Sequence, residues 1–190
     1  AGLVMSSMQL NASRCPDPDE RPPFSEAYLV QYVLDSCSSV QEAIQAVSLV
    51  RLAQDECTTH YLIADESRDC AAFEFLDGQF VCYQGDTLPV RALANAPYEA
   101  GPTNMNSGVI PPDNPGASVE RVAAAAEKIY GFQPGEGISP INYSLEVLTK
   151  TVAAPKKWWS NIFNEPYTRW NVVFDITKRE IHFRTQDNPE

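Results

Sequence analysis

The spacing of apolar and polar positions divides the first quarter of the chain into strand, loop and helix. An apolar run over 2–10 predicts a strand, and a stretch over 11–23 with four prolines predicts an exposed loop. Apolar residues at helical spacing then predict a helix over 25–37 and a second helix over 39–47. The run Ser39-Val40-Gln41-Glu42 has the serine and glutamate of a capping box, which predicts where the second helix begins.

The middle of the chain is rich in β-forming residues. Turn-forming residues separate its short apolar runs, which cover 60–64, 71–76, 79–83 and 90–94. The dipeptide Asp77-Gly78 favours a type I′ turn, so we predict an antiparallel hairpin at this point. Phe73 and Phe75 alternate with Glu74, which predicts that their strand has one buried apolar face.

The remaining elements are two helices and a hairpin. Proline and glycine dominate 97–116 and predict a connecting loop. Helical spacing returns behind Ser118, which we predict as an N-cap, and again over 141–152. Alternating residues over 170–183, on either side of a Thr177-Lys178 turn, predict a second hairpin. This order of elements indicates sheets between helical layers, which is an α+β architecture.

The composition fits one soluble domain. The chain has 190 residues, of which 44% are hydrophobic, and this is enough apolar material for a single core over 1–190. Its 25 acidic residues outnumber its 14 lysines and arginines, which argues against a nucleic acid partner. No apolar run is long enough to cross a bilayer, so we expect no membrane partner and a location in the cytoplasm or the periplasm.

The five cysteines form no ligand or redox motif. None stands in a CxxC pair or at zinc-ligand spacing, so we predict no metal site. The odd number leaves at least one cysteine unpaired. The positions of Cys37, Cys70 and Cys82 fit buried small hydrophobic residues better than a disulfide framework.

Common catalytic and cofactor motifs are missing. The sequence contains no GxGxxG, no Walker-type loop, no HExxH and no GxSxG, so it predicts no cofactor and no serine triad. We interpret the two histidines, His60 and His182, as ordinary surface or edge residues rather than as general bases. No Asp/Glu pair has a spacing that specifies catalysis by two carboxylates.

Several local patterns resemble, in their order, those of one protein family. Residues 2–10 resemble a strand that follows an Asn-Glu-x-Gly-Leu segment, and residues 32–43 resemble a hydrophobic helix linked to an SVEEA helix. Residues 60–65 and 73–75 are similar to a central strand pair that carries an acidic residue. The most specific match is 93–97, Leu-Ala-Asn-Ala-Pro, which is similar to a Leu-Thr-Asn-x-Pro segment.

Two further matches complete the order. Residues 118–121 resemble a Ser-x-x-Arg that begins a helix, and residues 168–188 resemble a last hairpin. Taken together, these six patterns resemble the choloylglycine hydrolase and penicillin V acylase family. Its members are N-terminal nucleophile hydrolases with an αββα sandwich, and they cleave linear amide C–N bonds. The resemblance implies this α+β sandwich, incomplete at both ends of the chain, and a hydrolase of small-molecule amides.

The resemblance also implies a nucleophile that these 190 residues do not supply. In the family the first residue of the mature chain is a cysteine, whose thiolate attacks the amide carbonyl while its α-amine moves the proton. Ala1 has neither a thiol nor a hydroxyl. We therefore expect an upstream segment or a companion chain that carries the cysteine. A trimmed chain and a homologue that has lost its catalytic part are the alternatives.

The resemblance assigns three site residues. Asn95 matches the asparagine whose side-chain amide donates to the oxyanion, although by itself it reads as a strand end before Pro97. Gln9 replaces an asparagine whose backbone N–H is the second donor, and a main-chain donor survives this change. Arg121 matches an arginine near the nucleophile, where a cation favours the thiolate. A plain surface arginine in a first helical turn is the alternative.

The substrate and the assembly stay open. Penicillin V, conjugated bile salts and N-acyl homoserine lactones are all candidates. Trp158 and Trp159 either line an acyl pocket or pack within a loop. The segment 98–114 is shorter than the insertion through which some family members form tetramers, so we expect a different or weaker homo-oligomer. A non-catalytic ligand-binding relative and a fragment that folds only with its companion chain are the other hypotheses.

Overall fold

The computed structural model describes residues 2–53, 57–100, 116–133, 135, 137–151 and 170–185. The chain divides into two compact units, Ala1–Val122 and Ala123–Glu190, and the single domain predicted above stays a prediction. The elements in chain order are β1 (Leu3–Gln9), β2 (Pro23–Phe24), α1 (Glu26–Ser36), α2 (Val40–Ser48), β3 (Arg51–Leu52), β4 (Thr59–Asp65), β5 (Cys70–Leu76), β6 (Gln79–Gln84), α3 (Gly116–Gly131), α4 (Pro140–Thr151), β7 (Trp170–Asp175) and β8 (Glu180–Thr185). Within these ranges, no helix has both the length and the apolar character that crossing a membrane requires. The predictions for Val152, Trp158, Trp159 and the outer ends of the last hairpin lie outside the described residues.

A four-stranded antiparallel sheet forms the centre of the first unit. Its strand order is β1-β4-β5-β6, so β1 lies at one edge while β4 and β5 lie inside. Asp77 and Gly78 join β5 to β6, and their φ angles of 50° and 75° are those of the predicted type I′ turn. Because side chains alternate along each strand, β4 and β5 give this sheet two distinct faces.

One face of the sheet packs against α1 and α2. Leu29 and Val33 of α1 are fully buried there, as the helical spacing predicted. They meet Ile63 of β4 and the two phenylalanines of β5, Phe73 and Phe75, which are at most 2% exposed. This core lies on one face of the sheet, and the opposite face carries a smaller apolar core of its own.

The start of α2 is held by two oxygen-bearing side chains. The Ser39 hydroxyl accepts the N–H of Glu42 at 3.2 Å, which confirms the predicted N-cap. Asp65, at the end of β4, accepts the N–H of Val40 at 2.8 Å and also bonds to Ser67 in the following turn. Burial raises the pKa of Asp65, but the hydrogen bonds from Ser67 and Val40 outweigh it and hold that pKa below its usual range.

An irregular segment that includes the predicted strand 90–94 covers the opposite face of the sheet. The strand prediction is wrong, because the backbone of this segment bonds to side chains and forms no β-ladder. The Tyr98 hydroxyl bonds to both the N–H and the carbonyl of Val90 at 3.0 Å, and the His60 ring bonds to the carbonyl of Ala94. A second, smaller core lies beneath the segment and contains Cys70, Ala72, Tyr83, Leu88 and Tyr98.

Helix α3 begins earlier than predicted. Gly116 is its first residue, so Ser118 lies inside the first turn and the N-cap prediction for it is wrong. The Ser118 side chain is 6% exposed, and its hydroxyl accepts the N–H of Asn95 at 2.6 Å. This hydroxyl therefore serves the neighbouring irregular segment instead of the helix end.

A disulfide joins Cys15 to Cys57, the two cysteines for which the sequence predicted no state. The bond closes a separation of 42 residues, which local spacing does not reveal. The other three cysteines are free thiols, as predicted. Cys37 and Cys70 are buried, whereas Cys82 is half-buried.

The second unit combines the end of α3 with α4 and the β7–β8 hairpin. The Tyr143 hydroxyl donates to the carbonyl of Lys128 at 2.6 Å, which ties α4 to α3. β7 packs against α4 and pairs with β8 in the predicted antiparallel hairpin. His182 is half-buried in β8, with its Nε2 3.6 Å from Oε2 of Glu180. Large apolar side chains of the hairpin are at least 42% exposed, namely Trp170, Phe174, Ile181 and Phe183.

Candidate functional site

The three predicted site residues meet at one point on the first unit. The Nδ2 atom of Asn95 donates to the main-chain carbonyl of Gln9 at 3.0 Å, across a separation of 86 residues. The Oδ1 atom of Asn95 accepts a hydrogen bond from Nη2 of Arg121 at 2.7 Å. Asn95 and Gln9 are exposed and Arg121 is half-buried. Asn95 thus links the end of β1 to the first turns of α3, on the surface of this unit.

The two neighbours of Asn95 fix the direction in which its amide faces. A guanidinium only donates and a main-chain carbonyl only accepts, so Oδ1 faces Arg121 and Nδ2 faces Gln9. In a flipped amide, Nδ2 would face the Arg121 donor and Oδ1 would face the Gln9 carbonyl, so neither hydrogen bond could form. Nδ2 carries two hydrogens and the Gln9 carbonyl takes one of them, which leaves the second for a ligand. The positive charge of Arg121 also polarises the amide and strengthens Nδ2 as a donor.

Gln9 presents its own main-chain N–H on the same side. Leu10 donates to the carbonyl of Thr58, and Gln9 pairs with Thr59, so Gln9 and Thr59 form a non-hydrogen-bonded pair of the antiparallel ladder. In such a pair the N–H and the carbonyl both point away from the partner strand. The Gln9 carbonyl accordingly bonds to Asn95, and the Gln9 N–H points to the same outer edge of β1. No described strand pairs with that edge.

A buried His60–Glu74 pair lies beneath the segment that carries Asn95. Nε2 of His60 lies 2.6 Å from the carbonyl oxygen of Ala94, and Nδ1 lies 2.8 Å from Oε1 of Glu74. The same Oε1 accepts the N–H of Tyr98 at 2.8 Å. The ionisable side chains of His60 and Glu74 both have 0% exposure. The interpretation of His60 as an ordinary surface or edge residue is therefore wrong.

The sequence contained half of the signal for this pair. Alternation places Glu74 on the face opposite to Phe73 and Phe75, but it does not show that this second face is buried as well. Its partner depended on the register of two strands: Tyr61 pairs with Phe73, and this sets His60 opposite Glu74. The strand pattern alone does not determine that register, and the pairing was missed for this reason.

All five cysteines lie within the described ranges, and none is an activated thiol. Cys15 and Cys57 form the disulfide and do not titrate. Burial raises the pKa of Cys37, and it raises those of Cys70 and Cys82 to about 11. A nucleophilic cysteine needs a lowered pKa, because the thiolate is the species that attacks. These thiols have the opposite character.

Other features of the described residues add no second site. No group of three or more His, Cys, Asp or Glu side chains in these ranges is arranged to hold a metal ion. An open groove of about 620 Å³ lies between residues 14–21 and the turn at Asp77–Phe80. None of the three predicted site residues lines this groove. The chemistry supported by the described part of the chain is therefore hydrogen-bond donation at Asn95 and Gln9, beside the charge of Arg121.

Solved structures with the same architecture exist, although no protein-family model and no curated protein matches the chain. The structure of penicillin V acylase from Agrobacterium tumefaciens matches with a TM-score of 0.76 at 23% sequence identity. Conjugated bile acid hydrolase from Clostridium perfringens matches at 14% identity in two variants. Its arginine-to-leucine variant has a TM-score of 0.78, and its cysteine-to-alanine variant has a TM-score of 0.76.

The match extends over the whole chain but over only part of each neighbour. It covers 100% of this chain, 62% of the penicillin V acylase and 68% of each bile acid hydrolase chain. At identities of 14% to 23%, such a likeness establishes the fold. The predicted α+β fold is confirmed: the chain has the N-terminal nucleophile hydrolase fold of a penicillin V acylase and a conjugated bile acid hydrolase.

Proposed function

We propose that this chain is part of a hydrolase of linear amide C–N bonds, and that it supplies the donors that stabilise the oxyanion. The observation that carries the proposal is the Asn95 amide, whose nitrogen is directed by the Gln9 carbonyl and the Arg121 guanidinium. The fold supports the proposal, since two of its solved representatives are an acylase and a bile acid hydrolase. The activity of the whole protein and its partners belong to the proposal.

The proposed mechanism places negative charge beside two N–H donors. When a nucleophile attacks an amide carbonyl, its oxygen becomes an oxyanion. The second hydrogen of Asn95 Nδ2 and the main-chain N–H of Gln9 donate to that oxygen. Preorganised donors of this type are worth about 3 to 4 kcal/mol of transition-state stabilisation each. Donors that face the oxyanion more closely than the ground-state carbonyl raise kcat more than they lower KM.

The nucleophile in this proposal is a cysteine at the start of a segment outside these 190 residues. Its thiolate forms a bond to the amide carbon, and the C–N bond breaks to leave a thioester. The α-amine of the cysteine, with a reference pKa of about 8, accepts the thiol proton and passes it to the leaving amine. Water then hydrolyses the thioester. The raised thiol pKa values and the disulfide within the chain support a source elsewhere.

Arg121 has two roles in the proposed site. Its hydrogen bond to Oδ1 holds the Asn95 side chain in one orientation and polarises the amide. Its charge, close to the position of the attacking sulfur, favours the thiolate over the thiol. The alternative interpretation, a plain surface arginine, does not require a contact with Asn95.

The proposed substrates are small amides with an acyl group on a polar amine. Penicillin V, conjugated bile salts and N-acyl homoserine lactones have this form, and cleavage of each releases a primary amine. One assay therefore compares all three classes in the complete protein, by fluorescamine detection of the released amine. We expect release from at least one class, and loss of release after alkylation with iodoacetamide.

A matched variant separates the proposed nucleophile from the thiols of this chain. Cys82 is the free cysteine that is half-buried instead of buried, so it is the one most open to alkylation. Cys82→Ala should keep both the activity and its loss on alkylation. Saturable binding of these amides without release of amine would contradict the proposal and favour a non-catalytic ligand-binding relative. Insensitivity of the turnover to iodoacetamide would contradict the cysteine mechanism.

A further inference from the structure

We infer that His60 and Glu74 are positioning residues that hold the Asn95 amide in its donating orientation. The inference rests on the proposed function of Asn95 and extends its site to two side chains with 0% exposure. Neither side chain bonds to Asn95 itself in the structure. They act on the main chain at Ala94 and Tyr98, on either side of it.

Among the described residues, no strand pairs with the segment around Asn95. Its main-chain groups at Ala94, Asn95 and Tyr98 bond to the side chains of His60, Ser118 and Glu74, in that order. The His60 bond is the one immediately before Asn95. If the Ala94 carbonyl shifts, the side-chain amide of Asn95, which donates to the Gln9 carbonyl, moves with it.

The proton positions make the His60 bond directional. A carbonyl oxygen only accepts, so Nε2 of His60 carries a hydrogen and donates it to Ala94. One further proton lies between Nδ1 and Oε1 of Glu74, because two bare acceptors at 2.8 Å would repel each other. Oε1 also accepts the N–H of Tyr98, while Oε2 has no hydrogen-bond partner among the described residues. Glu74 thus fixes the ring of His60 and the far end of the segment at once.

Burial argues that this pair does more than fill space. Replacing a buried polar pair by apolar side chains of similar volume is often neutral or stabilising, so stability alone does not require His60 and Glu74. Their neighbours on this face are apolar, including Ala72 and Leu62. What an apolar pair would not provide is the hydrogen bond to Ala94. The pair therefore provides geometry at the site.

Two substitutions in the complete protein test the roles of the two ring nitrogens of His60 separately. Gln places an amide nitrogen near the position of Nε2, whereas Asn places it near Nδ1. His60→Gln keeps a donor for the Ala94 carbonyl, and His60→Asn loses it. We expect His60→Asn to lower kcat about 10- to 100-fold with KM changed less than about threefold, as for a small misplacement of a catalytic group. His60→Gln should retain most of the turnover.

Two controls separate positioning from general destabilisation. Ile63→Val, on the same strand but in the opposite core, lowers stability without touching the segment and should leave kcat unchanged. In an Asn95→Ala background, His60→Asn should cost little further activity, because the residue through which it acts is gone. A full additional loss in that background overturns the inference. So does a His60→Asn variant whose kcat equals that of Ile63→Val.

A crystal structure of His60→Asn tests the inference without any activity. We expect the bond from Asn95 Nδ2 to the Gln9 carbonyl, 3.0 Å in the parent, to be lost. An unchanged Asn95 amide in that structure overturns the positioning role. If Asn95→Ala keeps the parent's turnover, the proposed function of Asn95 fails, whatever this structure shows. The two failures are therefore distinguishable.

Discussion

At the scale of single residues, the amide of Asn95 is ordered by the chemistry of its neighbours. Arg121 only donates and the Gln9 carbonyl only accepts, so one orientation of the amide satisfies both. The side chain is exposed, and its direction therefore depends on these two bonds instead of on packing. Substitutions of Arg121 should therefore change the activity by altering the orientation of the Asn95 amide.

Arg121→Met should lower kcat about 10-fold, because it removes both the bond to Oδ1 and the positive charge while it keeps an apolar stem of similar length. Arg121→Lys keeps the charge without the planar fork, and it should fall between Met and the parent. Steady-state amine release by the complete protein measures both. Equal activity of all three proteins would show that Arg121 is a plain surface residue.

The residue scale also marks the limit of what the sequence predicts. Asn95, Gln9 and Arg121 were assigned by the resemblance of local segments, and the structure brings them together. His60 was misjudged because its partners, Glu74 and Ala94, lie 14 and 34 residues away along the chain. Only the strand register and the covering segment create its environment, and local patterns contain neither.

At the scale of elements, helices and strands with a strong local signal were predicted and the irregular segment was not. The Ser39 cap and the Asp77-Gly78 turn are local, and both are present as predicted. Residues 90–94 have the composition of a strand, but their main-chain groups form hydrogen bonds with side chains from elsewhere in the unit. Tertiary hydrogen bonds thus overrode β-propensity in this segment.

Asp65 connects α2 to the turn after β4, so its removal should destabilise both. Its carboxylate accepts the first N–H of α2 and holds the turn after β4. Asp65→Asn should destabilise the chain by about 1 to 3 kcal/mol at pH 7, the cost of weakening hydrogen bonds to a buried charged group. Urea denaturation of both proteins at pH 7 measures the difference. A change below 0.5 kcal/mol would be too small for this role, about the size expected at an ordinary surface position.

The same substitution predicts a dependence on pH. The pKa of Asp65 is lowered in the folded chain: burial raises it, but the hydrogen bonds outweigh that effect. Its stabilisation is therefore complete above the unfolded pKa of about 3.9 and is lost as the pH falls through the folded pKa. The gap in stability between the parent and Asp65→Asn should shrink as the pH falls from about 4 through the folded pKa. A constant gap across this window would contradict the shift.

At the scale of the whole molecule, a covalent link ties the loop after β1 to the start of β4. The Cys15–Cys57 disulfide spans 42 residues, and loop-closure entropy gives it a stabilisation of about 4 kcal/mol at most. The double variant Cys15→Ser, Cys57→Ser should therefore melt well below the parent. Thermal unfolding with and without a reductant measures this, since the reductant should affect only the parent. Equal melting temperatures would show that the bond adds no stability.

This chain covers 62% to 68% of the length of its solved neighbours. Among the described residues, no strand pairs with the outer edge of β1. The fold class could be predicted, because ordered local patterns along the chain pointed to it. The disulfide could not, because it depends on which loops meet in space.

The proposed function depends most directly on the Asn95 amide. The decisive measurement is kcat for amine release by Asn95→Ala in the complete protein, with Asn142→Ala, an exposed asparagine on α4, as the matched control. We predict a fall of about 100- to 1000-fold for Asn95→Ala with little change in KM, and the parent's rate for Asn142→Ala. An Asn95→Ala variant whose kcat lies within threefold of the parent's would contradict the account.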